Sequence, residues 1–450
     1  MKKFCWQKAL PLLVLFSFQA QAQALSTGPH QNSRLTSNKS WLEDESTLAI
    51  SRILENISPA DSRPGAVIAA PTRRDPNYYY HWVRDAGLTM EAVVNEYRSR
   101  SNASDRNILR QKLSDYTDFS EHIQNISTLT GLGEPKFNVD GTAYNGPWGR
   151  PQNDSPALRA MSLIHWAQIL IDEGQTDYIK DRLFNPKDPI SGVIKKDLNY
   201  VSIHWQEPSF DLWEEVQGDH FYTRMVQRRA LIEGAQLALA LGDSKSARIY
   251  SRQAIEIEQS LGQFWDASRG YFVATRNQVT GLNYKNSNLD TAVILGLLHG
   301  SLNDGFLPFS DPKVQSTMEN LVQAFVQTYR INQRSDIPGV AIGRYPEDRY
   351  GGSHFDGGNP WPLCTLAIAE AYYRMGNKFS IMGRKLDSLS LLETGDQFVE
   401  RVRFHSPADG SLNEQMDRNT GYMTSVENLT WNYAAVLSAL SARQAVIFGK

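Results

Sequence analysis

At 450 residues, 41% hydrophobic and 21% charged, the chain has the composition of globular material with a large core, which excludes a disordered or collagen-like protein. A formal net charge of -3 leaves no basic surplus. That argues against nucleic acid or an anionic membrane surface as the partner.

The N-terminus reads as an export signal. "MKKFCWQK" supplies the positive region, "ALPLLVLFSF" the apolar run, and "QAQAQA" an A-x-A cleavage site after Ala22 or Ala24. The run is too short to span a bilayer as a helix. Residues 1–24 are therefore assigned to the signal, 25–40 to a flexible polar segment and 41–450 to one folded domain. Removing Lys2, Lys3 and Lys8 takes the formal charge from -3 to -6. Cys5 leaves with the signal and only Cys364 remains, so no intramolecular disulfide can form. The mature protein is expected to be a periplasmic or secreted monomer with no membrane segment.

From "WLEDESTLAISRILENI" onwards the pattern is helical, with Leu42, Leu48, Ile50, Ile53 and Leu54 along one side. "SPALRAMSLIHWAQILID", "RALIEGAQLALALG", "SARIYSRQAIEIEQSLGQFW" and "NLDTAVILGLLHGSL" continue it. "VQSTMENLVQAFVQTY", "PLCTLAIAEAYYRMG" and "ENLTWNYAAVLSALSARQAV" complete it. About twelve helices are expected, and no period-two stretch is long enough for a large sheet. Connections near Gly174, Gly242 and Gly376 are short, with glycine where a helix ends in a left-handed residue. The intervening connections are long and rich in Trp, Tyr, Gly, Pro and charge. Long loops in a compact domain are usually functional.

The landmarks Trp82, Trp148, Trp213, Tyr345 and Glu414 are separated by 66, 65, 132 and 69 residues. The double gap holds "VATRNQVTGLNYKNS", where a sixth landmark belongs. One step of that length is a helical hairpin with its loops. Six hairpins closing on themselves give an all-α (α/α)6 barrel with every second loop at one mouth.

The loops can then be weighed singly. In "PNYYYHWVRDAG", Arg84 offers a fork of donors and Asp85 an acceptor, which suits vicinal hydroxyls; a structural pair, with Asp85 as helix cap, would explain them equally. "GPWGRPQNDSPALRA" holds Trp148 between Pro147 and Gly149, whereas Asp154 and Arg159 read as structural. "DLWEE" crowds Asp211, Glu214 and Glu215 around Trp213. "GRYPED" carries Arg344 beside Tyr345, "NPWPL" sets Trp361 at a helix start, and "LNEQMDRNTG" holds Glu414. There is no H-E-x-x-H, cysteine cluster, EF-hand pattern or phosphate loop, so no metal or cofactor is expected. Two carboxyl-bearing loops, an arginine clamp and abundant aromatics are the inventory of a glycoside hydrolase. One acid protonates the glycosidic oxygen and the other activates water. A Trp-walled site with neighbouring carboxylates would keep Glu214 protonated.

Seven stretches in order and spacing resemble the fungal glucoamylases of glycoside hydrolase family 15: "PGAVIAAP", "YYYHWVRDAG", "FNVDGTAYNGPWGRPQNDSPALRA", "DLWEEVQG", "IGRYPED", "GGNPWPLCTLA" and "LNEQMDRNTG". The resemblance covers about Leu48 to Gln444. It implies an (α/α)6 barrel and release of β-glucose, with inversion, from non-reducing ends of α-1,4-glucans. It also implies Glu214 as general acid and Glu414 as general base. Arg84, Asp85 and Arg344 match contacts to the terminal glucose. Tyr78, Trp82, Trp148, Trp213, Glu215 and Trp361 match the subsite lining, and Asp211 a nearby acidic position. His81 and Val83 stand where the fungal pattern has threonines, and Met416 where it has an aromatic. With no Ser/Thr-rich linker or starch-binding module after the last helix, good action on soluble dextrins and poor adsorption to granular starch are expected. Cleavage of α-1,6 or trehalose linkages, or a non-catalytic glucan binder, are the alternatives.

Overall fold

The computed structural model describes residues 29–188 and 190–448; the signal assigned to residues 1–24 lies outside them. Twelve helices of ten residues or more lie among the described residues. They are α1 Pro29–Glu55, α2 Val83–Ser99, α3 Ala103–Gln124, α4 Ser155–Asp172, α5 Val193–His204 and α6 Phe221–Ala240. The second half contributes α7 Ser244–Leu261, α8 Thr291–Gly300, α9 Pro312–Thr328, α10 Pro362–Ile381, α11 Lys385–His405 and α12 Thr430–Phe448. α1 takes in residues 29–40 of the segment expected to be flexible.

Two sets of helices emerge from the packing. α2, α4, α6, α8, α10 and α12 each pack on the next, and α12 returns to α2. This closed inner ring is flanked by the odd-numbered helices: α1 lies on α12, α3 on α2, α7 on α6 and α11 on α10. Inner helices are buried nearly all round, as α4 is from Ser155 to Ala167, because they face neighbours on both sides. Outer helices such as α7 bury one stripe, Ala247, Tyr250, Ala254, Ile257 and Leu261. The six-hairpin (α/α)6 architecture read from the landmark spacing is thus the observed one.

Six long connections, 56–82, 125–154, 205–220, 262–290, 329–361 and 406–429, each run into the N-terminus of an inner helix, while 173–192, which carries short helical turns of its own, leads to the outer helix α5. Three of the returns, 100–102, 241–243 and 382–384, have only three residues. The six long loops therefore share one mouth, facing six helix N-termini whose dipoles favour negative charge. Short ribbons stitch the loops together: β1 (His81–Trp82) with β2 (Lys136–Phe137), and β3 (Ser209–Phe210) with β4 (Val216–His220). β5 (Trp265–Asp266) pairs β6 (Tyr271–Phe272), β7 (Thr275–Gly281) extends β4, and β8 (Gln415–Met416) pairs β9 (Met423–Thr424). The ring is latched where the first and last loops meet. Thr430 Oγ1 donates to the Ile68 carbonyl at 2.7 Å and accepts from Asn56 Nδ2 at 2.8 Å.

One expected helix end is corrected. Gly174 and Gly242 do sit in left-handed turns, with φ of 75° and 88°, but Gly376 lies inside α10, which runs on to Ile381. The turn is made by Gly383, φ 75°. A Cβ at Gly376 would lie 3.3 Å from the Ser388 carbonyl and 3.6 Å from Val446, so this glycine lets α11 and α12 approach α10. Among the described residues no helix is long and apolar enough to cross a membrane. Cys364 is buried and unpaired.

Candidate active site

The loop that opens α6 is a tight turn around Asp211. Its Oδ1 accepts from the backbone N–H of Glu215 at 2.7 Å and of Val216 at 2.9 Å, and its carbonyl accepts from Glu214 N. This clamp holds Glu214 in a left-handed conformation, φ 67°, which for a non-glycine costs of order 1 kcal/mol or more and persists only where surroundings enforce it. Asp211 is therefore turned into its own loop. Burial would raise its pKa, but the Lys285 ammonium, His220 and the backbone donors outweigh that and lower it.

The Glu214 carboxyl, 18% exposed, emerges from this turn and meets donors from two other loops. Trp82 Nε1 donates to Oε1 at 2.8 Å, Gln152 Nε2 at 3.1 Å and Arg84 Nη2 at 3.3 Å. All three converge on Oε1, and no protein donor among the described residues reaches Oε2. The expected crowding of carboxylates around Glu214 is not what the loop provides. The indole that reaches it belongs to Trp82, while Trp213 donates to Asp290 at 2.8 Å.

Arg84 and Asp85 start α2, whose N-cap is Trp82 with no side-chain cap, so Asp85 is not the cap. Arg84 Nη1 donates to Asp154 and to Gln152, both at 2.9 Å, whereas its Nε stands 3.9 Å from Asp85. Asp154 is fully buried and makes no cap bond to α4; its carboxylate serves Arg84 instead. Burial, with Glu214 and Asp154 adding to it, raises Asp85 to about 7 against the pull of Arg84. Arg159, read as structural, pairs with Asp197 through two bonds of 2.7 and 2.6 Å in the core.

Glu414 has no solvent exposure. Tyr78 donates to its Oε1 at 2.6 Å, while Ser425 at 2.5 Å and Gln415 at 3.0 Å donate to Oε2. Burial raises its pKa, and the hydroxyls of Ser425 and Tyr78, with the Arg344 charge, oppose the rise. The two glutamates are linked through aromatics: Tyr78, bonded to Glu414, lies with its ring centroid 5.4 Å from that of Trp82, bonded to Glu214.

Behind Glu214 the remaining predicted residues form one block. Arg344 donates to Glu215 at 2.7 Å and grips Asp348 through Nε and Nη2 at 2.8 and 2.6 Å. Tyr345 donates to the other Glu215 oxygen at 2.7 Å. The Arg344 guanidinium faces the rings of Trp213, Tyr350 and Trp361 at 5.5, 5.0 and 5.6 Å. Burial raises the pKa of Glu215 in spite of Arg344 and Lys285. Trp148 stands at the rim, 36% exposed.

Several participants escaped the sequence reading. Gln152 orients Arg84 and Glu214, while Asp154, read as structural, holds Arg84; Tyr350 shares a 2.9 Å bond with Tyr78, and Ser425 holds Glu414. The fourth loop, 262–290, where no landmark was found, supplies Lys285 and Asp290. Lys285 Nζ lies 3.0 Å from Asp290 and 3.5 Å from Asp211, tying Trp213 to the Asp211 turn. Its only signal was position, since the loop fell where the repeat required one. Among the described residues no group of three or more His, Cys, Asp or Glu is placed to hold a metal.

Paired carboxyl groups at the mouth of an (α/α)6 ring define a glycoside hydrolase of the α-barrel type. The family model for glycosyl hydrolases family 15 matches residues 47–441. The glucoamylase of Blastobotrys adeninivorans is 36% identical over 90% of this chain and 72% of its own length. A probable glucoamylase of Schizosaccharomyces pombe is 32% identical over 97% and 98%. The solved family 15 glucoamylase of Hypocrea jecorina superimposes with a TM-score of 0.82 at 31% identity, covering 91% of this chain and 73% of that one. The chain belongs to glycosyl hydrolases family 15.

Proposed function

We propose that this enzyme is an exo-acting glucoamylase that releases β-glucose from the non-reducing ends of α-1,4-glucans, with Glu214 as general acid and Glu414 as general base. The observation that carries the assignment is the unequal dressing of the two carboxyl groups. With every donor on Glu214 Oε1, Oε2 is left to carry a proton outward to the glycosidic oxygen. Proton transfer there lets the bond from C1 to the leaving sugar break. Glu414, ionised and accepting from Tyr78 and Ser425, takes a proton from water as that oxygen bonds C1 from the opposite face. The anomeric configuration is thereby inverted.

Arg84, Asp85 and Arg344 are assigned to the terminal glucose, a ring whose adjacent hydroxyls need acceptors and donors together. Tyr78, Trp82, Trp148, Trp213, Glu215 and Trp361 line the subsites, and aromatic faces there pack on apolar sugar faces. We assign residues 41–450 to the catalytic domain of an exported monomer, with 1–24 as its signal.

Proton NMR of the anomeric signals in the first minutes of maltotriose hydrolysis tests the mechanism. Free β-glucose before mutarotation is expected. Initial α-glucose would mean retention and would remove the water-activating role from Glu414.

A further inference from the structure

Lys136, in "GEPKFN", stands opposite Trp82 in the β1–β2 pair and is 2% exposed. No acceptor among the described residues hydrogen-bonds its Nζ. Four aromatic rings surround it instead: Trp148 at 3.5 Å to the centroid, Tyr144 at 4.1 Å, Tyr80 at 4.2 Å and Trp82 at 4.5 Å. These rings also meet one another in a closed circuit. Tyr80 packs on Trp82 at 5.9 Å, Trp82 on Trp148 at 5.8 Å, Trp148 on Tyr144 at 6.1 Å and Tyr144 on Tyr80 at 5.3 Å, each contact tilted steeply or edge-on. Ring faces attract a cation within about 6 Å, most strongly where water is excluded. An aromatic box of this kind usually receives a cationic ligand; here the chain fills it with its own ammonium.

The rings come from two different loops. Tyr80 and Trp82 belong to 56–82, Tyr144 and Trp148 to 125–154. Trp82 is anchored by its bond to Glu214, but the Trp148 indole donates to no protein group among the described residues and stands 36% exposed at the rim. We propose that Lys136 is a positioning residue for the hydrolytic reaction, its ammonium pinning Trp148 against Trp82 so that two loops form one rigid wall beside Glu214. This rests on the reading of Trp82 and Trp148 as substrate-facing.

The pin is sensitive to pH. Burial lowers the Lys136 ammonium to about 8, the Glu214 carboxylate opposing and Arg150 adding to the fall. The groups facing it are Glu214 from the 205–220 loop, Arg150 from 125–154, and the phenols of Tyr80 and Tyr144. A lysine with a lowered pKa keeps its charge below that value and loses it as pH rises through it, so the wall loosens above about pH 8.

Lys136→Met, Lys136→Arg and Trp148→Ala, assayed on maltotriose from pH 5 to 9.5 with acrylamide quenching of tryptophan, test the proposal. Lys136→Met should raise KM roughly tenfold with a smaller change in kcat, and should increase quenching at every pH. Lys136→Arg keeps a cation at all pH values, so it should restore most of the affinity and remove the wild-type rise in KM near pH 8. An unchanged KM and quenching in Lys136→Met, or an alkaline limb that survives in Lys136→Arg, overturns the pin. Should Lys136→Met not fold, the alkaline limb of Lys136→Arg alone decides. If Trp148→Ala leaves KM unchanged, the substrate-facing reading of the wall is what has failed.

Discussion

The acid loop and the base loop solve opposite problems with the same residue type. Glu214 sits on a strained turn, part exposed, with a guanidinium, an indole and an amide on one oxygen and none on the other. Glu414 is wholly buried and receives hydroxyl and amide donors on both oxygens. A group that must hand a proton outward keeps one oxygen open at the price of backbone strain. A group that must stay ionised and still is saturated with donors. The contrast teaches that position in the donor network, more than proximity of other acids, sets the two roles.

The largest effect should come from removing either carboxylate. Glu214→Gln and Glu414→Gln are each expected to lower kcat on maltotriose by about 10²–10⁴-fold, with maltose binding still measurable by calorimetry. Their stabilities should differ in direction. Burial raises the Glu414 pKa, so the fold loses stability as pH rises from the unfolded-state value up through the raised one, and above that range Glu414→Gln should hold or raise Tm. Glu214→Gln puts an amide in place of the carboxyl group that Arg84, Trp82 and Gln152 all donate to, and should lower it slightly.

Arg84→Met probes the acid side from behind. It leaves Asp154 buried without its cation, at about 3–5 kcal/mol, seen as a Tm lower by several degrees together with loss of activity. If Tm is unchanged, Arg84 is not what orders the acid loop.

Tyr78→Phe is the smaller test on the base side. It removes one donor to a carboxylate, about 1.5–3 kcal/mol, so Glu414 binds its proton more tightly. Since only the ionised base works, the acid limb of kcat/KM should move up by about one pH unit. An acid limb that stays in place would detach Tyr78 from the base.

Much of the fold was legible because inner helices and loaded loops recur at a nearly fixed step, marked at five of the six mouth loops by Trp82, Trp148, Trp213, Tyr345 and Glu414. The boundary at Gly376 was misread because a glycine inside a helix, placed for close packing with Ser388 and Val446, looks the same in sequence as one that ends it. Glu214, Glu414, Arg84 and Arg344 are singled out by residue type together with the resemblance of their motifs to the family. Gln152, Ser425 and Lys285 are not, since an amide, a hydroxyl and a lysine carry no signal until folding brings them from distant loops onto a carboxylate. Asp211 shows the converse: an acid beside Glu214 in sequence proves to be a backbone clamp.

The closed inner ring has a kinetic consequence. Among the described residues its interior is packed with side chains along the helices, so the mouth is the passage for both polymer and sugar. Glucose cleaved at the innermost position lies behind the shortened chain and can leave only after that chain retreats. Each turnover then ends in full release and begins with a new encounter, so product lengths during digestion should shorten as a broad population and not one molecule at a time.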